Sequence, residues 1–473
     1  MLDATCRDDG PLRLLRGTAA AAGAAALLLL GACAPQGQEG APPGEPEQAE
    51  TESAPAEPAP PQPSAAEILQ DALAAPETLR LSPPEAEGLP RHRVGLLLPL
   101  SGDRSDIGQA MLRAAELALF DVADDGFALV VRDTKGTPEG ARRAAEQAIA
   151  AGANLLLGPV FSSSVDAVAP VASGGRVPVV AFSNDREVAR PGVWVTGLLP
   201  GEQVDRIVGY AAAQGTESLA VLAPDNGYGE LILETARAAA DRHGVELAGS
   251  RLFGPSARDI SGPVKALAAY PRRQRELEER IADLKTRGGA EARRELRRLK
   301  NQDALGKAPF DAVLLPIGGS RLRQLAPTLP YYDIDPEEVQ FLGTAQWAGM
   351  TLSGDPSLRG AWYPAPPPES RSRFERRYRT IHGSTPPDIA GLAYDATALA
   401  GLMARRAGQD GTPPFRTFTP ERLTQRNGFA GVNGLFRLNP DGLVERGYAV
   451  IQVNADGQEV RDPAPASFAG PTN

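Results

Sequence analysis

Short unbroken apolar runs alternate with stretches of helical periodicity through most of the chain. The first runs are VGLLLPL (94–100), FALVVRDT (127–134), NLLLGPV (154–160) and PVVAFS (178–183), separated by segments such as GQAMLRAAELALFDVA. Runs of this length, apolar at every position, predict strands buried on both faces, and the segments between them predict amphipathic helices that cover a parallel sheet. The alternation resumes with SLAVLAP (218–224), a helix after Gly229, ELAGSRLF (246–253), AVLLPI (312–317) and VQFLGTA (339–345). Residues 91–473 exceed what one hydrophobic core usually supports, so two doubly wound α/β lobes are expected. In such sheets ligands bind beyond the carboxyl ends of the strands, which points to the loops LSGDRSDIG, GPVFSSS, AFSND, APDNGYGE and GTAQWAG.

The first 90 residues have a different character. An apolar stretch from Thr18 to Leu30, preceded by Arg13 and Arg16, is too short to span a bilayer and has the length of a signal-peptide core. Directly after it, Leu30-Gly31-Ala32-Cys33 resembles a bacterial lipobox, which implies lipidation of Cys33 and anchoring to a membrane. An ordinary cleavage site with an incidental cysteine is the alternative. The acids Asp3, Asp8 and Asp9 are unusual in a signal, so its start is expected downstream of them. Residues 34–90 are rich in Pro, Ala, Glu and Gln and hold eleven acidic residues against the single Arg80. Such a segment cannot bury enough apolar surface to fold and reads as an acidic, disordered tether.

That tether accounts for the whole net charge of −10, because the signal region is balanced and residues 91–473 hold as many basic as acidic residues. A neutral folded part has no electrostatic footprint for nucleic acid. Only His92, His243 and His382 occur, none beside a cysteine or in HExxH spacing, and GxSxG and phosphate-loop motifs are lacking. The chain therefore reads as a non-enzyme, with no metal site and no cofactor expected.

From about Arg93 to Val453 the chain resembles the type I periplasmic binding proteins, the group that includes the leucine/isoleucine/valine receptors. The resemblance rests on LLLPLSGDRSDIGQAM, LLLGPVFSSSVDAVAPVA, PVVAFSND, VWVTGLLPGEQV, APDNGYGE and GVNGLFRLNPDGLVERGYAVIQV in that order. It implies two lobes joined by three crossovers near Gly197, Gly349 and Val432, with a ligand cleft between them. The lobes would be 91–200 with 350–431, and 201–349 with 432–473. The implied ligand residues are Ser101, Ser162, Ser163, Ser183, Asn184, Tyr228 and Gln346. Ser162 matches a serine that binds an amino-acid carboxylate in those receptors, although Ser162 to Ser164 could also simply cap a helix. The family's threonine stands as Asp185 here, its first-loop aromatic as Ile107, and its ammonium-pairing acid is replaced near Gln346-Trp347.

Between Tyr270 and Ala308 lies an insertion with twelve basic and seven acidic residues, an apolar stripe at Leu277, Ile281 and Leu284, and a Gly288-Gly289 break. It predicts a charged helical hairpin, either a solvated projection or a docking surface centred on Arg293, Arg294, Arg297 and Arg298, removable from Pro271 to Lys300 without loss of either lobe. Lipobox, acidic tether, altered amino-acid pocket and the AFSND loop together resemble penicillin-binding protein activator lipoproteins. That resemblance implies a lipoprotein on the periplasmic face of the outer membrane, with a peptidoglycan synthase as its partner. The alternative is a receptor that delivers a branched-chain amino acid or similar solute to an ABC permease.

Overall fold

The computed structural model describes residues 91–122, 124–254 and 260–468. Cys33 and the acidic segment 34–90 lie outside these residues. The first lobe is built from β1 (His92–Leu98), α1 (Ser105–Val122), β2 (Phe127–Asp133), α2 (Pro138–Ala150), β3 (Leu155–Leu157), α3 (Ser162–Gly175), β4 (Val179–Ala181) and β5 (Val193–Val195). Its sheet is parallel throughout, in the order β2-β1-β3-β4-β5. Consecutive strand residues point to opposite faces, and Leu96, Leu97 and Leu98 are all fully buried, so helices cover both sides as the apolar runs require.

The second lobe repeats the plan. It contains α4 (Pro200–Ala213), β6 (Ser218–Pro224), α5 (Gly227–His243), β7 (Glu246–Phe253) and α6 (Ser261–Leu267). These are followed by α7 (Tyr270–Arg287), α8 (Gly289–Leu299), β8 (Ala312–Leu314), α9 (Gly319–Leu325), β9 (Gln340–Leu342) and β10 (Trp362–Ala365). The parallel order β7-β6-β8-β9-β10 matches that of the first lobe. Alternation is visible in the core: Ala312 and Leu314 join one hydrophobic cluster, while Val313 and Leu315 join the cluster on the other face.

The chain then returns to the first lobe with α10 (Pro368–His382), α11 (Ala390–Gln409), α12 (Pro420–Leu423) and a small antiparallel sheet of β11 (Phe429–Gly431), β12 (Gly434–Leu438) and β13 (Val444–Arg446). Leu399 of α11, Phe436 and Leu438 of β12 and Val444 of β13 are part of the first lobe's core. It ends on β14 (Ala449–Asn454) and β15 (Gly457–Asp462), which extend the second sheet antiparallel beside β10.

Two of the three crossovers therefore differ from expectation. The first crossover occupies residues 196–199, between β5 and α4. The second does not fall near Gly349. Strand β10 pairs with β9 and β14 inside the second sheet, so the chain leaves that lobe only after Ala365. Pro364 concealed this strand, since a residue without an N–H argues against a central position. The third crossover is near Gly447 rather than Val432, because β12 and β13 bury their apolar residues in the first lobe before β14 joins the second sheet.

The insertion is a helical hairpin whose turn uses positive φ at Gly288 and Gly289. Leu277, Leu284, Ala292 and Leu299 form its own small core. Arg280 of α7 reaches across with bonds of 2.9 and 3.1 Å to the two carboxylate oxygens of Glu295 on α8. Its base is held by Arg273, only 3% exposed, whose guanidinium donates to the carbonyls of Leu305 and Gly306 and at 2.9 Å to Asp333. A cut at Pro271 would remove this anchor, so the removable part begins after it. Replacing residues 276–302 by a short Gly-Ser linker should leave the melting temperature close to wild type. Arg273→Ala, which leaves the part-buried Leu305 carbonyl and the half-exposed Asp333 without their donor, should cost about 1–3 kcal/mol in chemical denaturation.

Candidate functional site

Both sheets share one strand order, so each has one point where the order reverses: between β1 and β3 in the first lobe, between β6 and β8 in the second. Loops at such a point diverge and leave a crevice at the carboxyl edge of the sheet. Two of the chain's crossovers leave from those edges, at Thr196 after β5 and at Pro366 after β10, which brings the two edges together. A Cβ built on Gly349, in the loop after β9, would lie 4.0 Å from Asp388 of the first lobe. Helix N-termini are pressed to the rim of this cleft. A Cβ at Gly108 would stand 2.0 Å from the Pro99 carbonyl oxygen, and one at Gly229 1.8 Å from that of Pro224.

In the first lobe, Asp133 at the end of β2 organises the loop after β1. Its carboxylate accepts from the N–H groups of Leu100 and Lys135 at 2.9 and 2.8 Å and from the Ser101 hydroxyl at 2.5 Å. Hydrogen bonds to the ionised form outweigh burial and hold the Asp133 pKa below its usual value. Ser101 is thus committed within its own loop. Ser162 and Ser163 occupy the first two positions of α3, whose N-cap is Phe161 and which has no side-chain cap. The capping alternative for these serines is not what the geometry shows. Their backbone N–H groups lack intrahelical acceptors and, with the two hydroxyls, form a ready anion cradle at the end of β3. Beneath them Ser164, 1% exposed, has a hydroxyl without a hydrogen-bond partner.

The loop after β4 is drawn inward. The Ser183 oxygen accepts from the Asp185 N–H at 3.1 Å, and Ser183 is 3% exposed; Asp185 in turn caps a short turn through the Glu187 N–H. The first crossover lies directly on this loop: Gly197 donates to the Ser183 carbonyl at 2.9 Å, and any Cβ there would strike it. Ser183 therefore braces the crossover. Asn184 is exposed and lines a cavity of about 500 Å³ shared with Arg186, the start of α4 and β13.

In the second lobe the structure brings Tyr228 and Gln346 together. Tyr228 lies in the first turn of α5, which is capped by Asn226 through the Gly229 N–H at 3.0 Å. Burial raises its phenol pKa, opposed by the neighbouring side chains of Thr344 and Gln346. Gln346 is exposed, whereas Trp347 turns into the core and donates to the Ile317 carbonyl at 2.7 Å. The Ala345 N–H donates at 2.9 Å to Gln203 beside the first crossover, fixing this loop to the start of α4. The end of β3 thus offers serine hydroxyls and helix N–H groups, and the ends of β6 and β9 a phenol and a carboxamide, with the Thr344 hydroxyl buried beneath them.

A family model described as periplasmic binding protein matches residues 92–275. Among solved structures, a putative branched-chain amino acid ABC transporter protein from Rhodospirillum rubrum is similar at a TM-score of 0.61 and 16% identity, over 78% of this chain and 99% of that one. A substrate-binding protein of an ABC transporter from Sphaerobacter thermophilus follows at 0.57 and 18%, over 80% and 98%. The chain has the periplasmic binding protein fold. A solute-binding protein of Rhodopseudomonas palustris BisB5, solved with 3,4-dihydroxybenzoic acid, is similar at 0.51 and 17%, over 80% and 97%. A comparison with curated proteins finds no match. These solved relatives are transporter components rather than the penicillin-binding protein activators that the AFSND loop and tether suggested.

In this binding-protein fold the crossovers enclose an ionic cluster that sequence reading missed. Glu202, in the first turn of α4, accepts from the Arg446 N–H, while its Oε2 has no partner; burial lifts its pKa to about 8 against the attraction of Arg446. Arg446, 6% exposed, donates at 2.7 Å to the Thr196 carbonyl and stacks 5.1 Å from the Phe436 ring centre. Tyr448 lies buried beside both, its hydroxyl against the Gln203 side chain. Read along the chain, Glu202 and Arg446 look like ordinary surface charges, and only the approach of the first and third crossovers joins them. Between its ordinary value of 4.5 and about 8, the folded protein keeps a proton on Glu202 that the unfolded chain has released. This group's contribution to stability therefore falls as pH rises through that window and stays lost above it. Glu202→Gln should unfold at a higher temperature than wild type above pH 8, and that difference should shrink towards pH 5; an equal difference at both pH values would contradict the assignment.

Proposed function

We propose that this protein is an extracytoplasmic receptor that captures a small carboxylate-bearing solute between its lobes for a membrane transporter. The observations that carry the reading are the uncapped start of α3, where Ser162 and Ser163 follow β3 at the first lobe's switch point, and the meeting of Tyr228 with Gln346 beyond the carboxyl ends of β6 and β9 in the second. An anion held by hydroxyls and helix N–H groups on one lobe and touched by a phenol and an amide on the other would join the lobes. Residues 344–347 expose an amide where an ammonium group would want a carboxylate, which favours a carboxylate without a free ammonium, such as an aromatic or keto acid, over an α-amino acid. Periplasmic location and lipid anchoring through Cys33 belong to the same proposal.

Calorimetric titration with leucine, isoleucine, benzoate, 3,4-dihydroxybenzoate and branched-chain keto acids tests it. A carboxylate should bind, and Ser162→Ala should weaken it about tenfold, the loss of one charge-assisted hydrogen bond. Tyr228→Phe should weaken it less. Absence of binding across the panel by the folded protein would overturn the reading.

One feature favours a second reading, regulation of a peptidoglycan synthase through contact. Arg293, Arg294, Arg297 and Arg298 are exposed on α8 and make no ion pair among the described residues, whereas Arg272, Arg280 and Arg287 of α7 are paired with acids. Reversing the four charges should abolish stimulation of a penicillin-binding synthase in a glycan-polymerisation assay. Transport binding would be untouched.

A further inference from the structure

A second cavity lies in the first lobe, away from the cleft loops, between α1, α10, α11 and the small sheet. Its volume is about 800 Å³, within the range of sites that enclose small organic molecules. The wall is apolar: Leu117 of α1, Phe374 of α10, Leu399 and Met403 of α11, and Phe429 and Phe436 of the small sheet line it. Leu402 remains 39% exposed beside it, unusual for a leucine on a helix whose other leucines are buried.

The polar groups at this cavity are mainly cationic. Arg373 and Arg377 come from α10, Arg406 from α11 and Arg422 from α12. Arg377 is engaged by Asp121, which also accepts from the Tyr394 hydroxyl at 2.8 Å, and Arg422 donates to Thr412 at 3.2 Å. Arg373 and Arg406 are exposed, and their guanidinium groups have neither an ion pair nor a hydrogen bond among the described residues. Of the lining carboxylates, Asp410 is exposed. Asp395 is buried and spent on the Val432 and Asn433 N–H groups and the Asn433 amide, with Arg446 nearby. The site thus combines a greasy wall with two uncommitted guanidinium groups.

We infer that this cavity binds an amphiphilic organic anion, an apolar acyl or aryl body with a single carboxylate or sulfonate head, its body against Leu399, Met403 and Phe429 and its head on Arg373 and Arg406. The inference does not rest on the cleft ligand, since no cleft residue lines this cavity. An arginine pair matches the planar oxygens of such a head, and the wall gives the body a place out of water.

The test uses the full-length protein and two probes, dodecanoate and the fluorescent sulfonate 1-anilinonaphthalene-8-sulfonate, below their aggregation limits. Both should bind and compete with each other, and dodecanol should bind at least tenfold more weakly than dodecanoate. Arg373→Glu with Arg406→Glu, exposed positions whose change should leave melting unaltered, should weaken dodecanoate at least tenfold. Ala398→Phe, a half-buried lining position, should displace the body and weaken both probes, while Ser162→Ala should leave them unchanged. Equal affinity for dodecanoate and dodecanol, or wild-type dodecanoate affinity in both cavity variants, would overturn the proposal. So would loss of binding in Ser162→Ala, which would place the probes in the cleft.

Discussion

A parallel sheet buried on both faces leaves chemistry only one edge on which to collect. In each lobe helices occupy both sides of the parallel strands, and each parallel strand must be reached by a return crossover, so the loops at the carboxyl ends carry what is free to vary. Repetition of one strand order in the two lobes sets one divergent point in each. Departure of the first two crossovers from carboxyl edges turns those points towards each other. The cleft follows from this connectivity, and its walls are then furnished by a few residues at helix starts: Ser162 and Ser163 on one side, Tyr228 on the other.

Where the chain passes between lobes it carries buried charge. Arg446 closes β13 just before the third crossover and reaches the carbonyl of Thr196 in the first, while Glu202 opens the helix that the first crossover feeds. Burying such groups costs more than a surface pair would, and one oxygen of Glu202 and two guanidinium nitrogens of Arg446 have no hydrogen-bond partner among the described residues.

The three histidines illustrate how little composition says about role. His92 is buried, 3.0 Å from the Thr417 hydroxyl and edge-on to Phe418, and burial lowers its pKa. His243 pairs with Asp205 at 3.0 Å on the second lobe, and His382 packs on Tyr378 in the first. They stand in three separate settings, each explained by packing or a local charge.

By itself the sequence determined the class of fold, since strands apolar at every position and helices with one apolar stripe have no other economical arrangement than a parallel sheet between helix layers. It also marked the loops at the carboxyl ends of the strands and the hairpin, whose Gly-Gly break and apolar stripe are local signals. Only the tertiary structure decided which side chains in those loops are free. Ser101 and Ser183 look like binders in the sequence, yet the first is held by Asp133 and the second braces Gly197. It alone revealed that β10 belongs to the second sheet, that Glu202 and Arg446 meet, and that an arginine-rimmed cavity opens between α10 and α11. The reason is one of range: periodicity, turns and caps act within a few residues and are written in the chain. Burial of a charge, or commitment of a hydroxyl, depends on which distant segment folds against it.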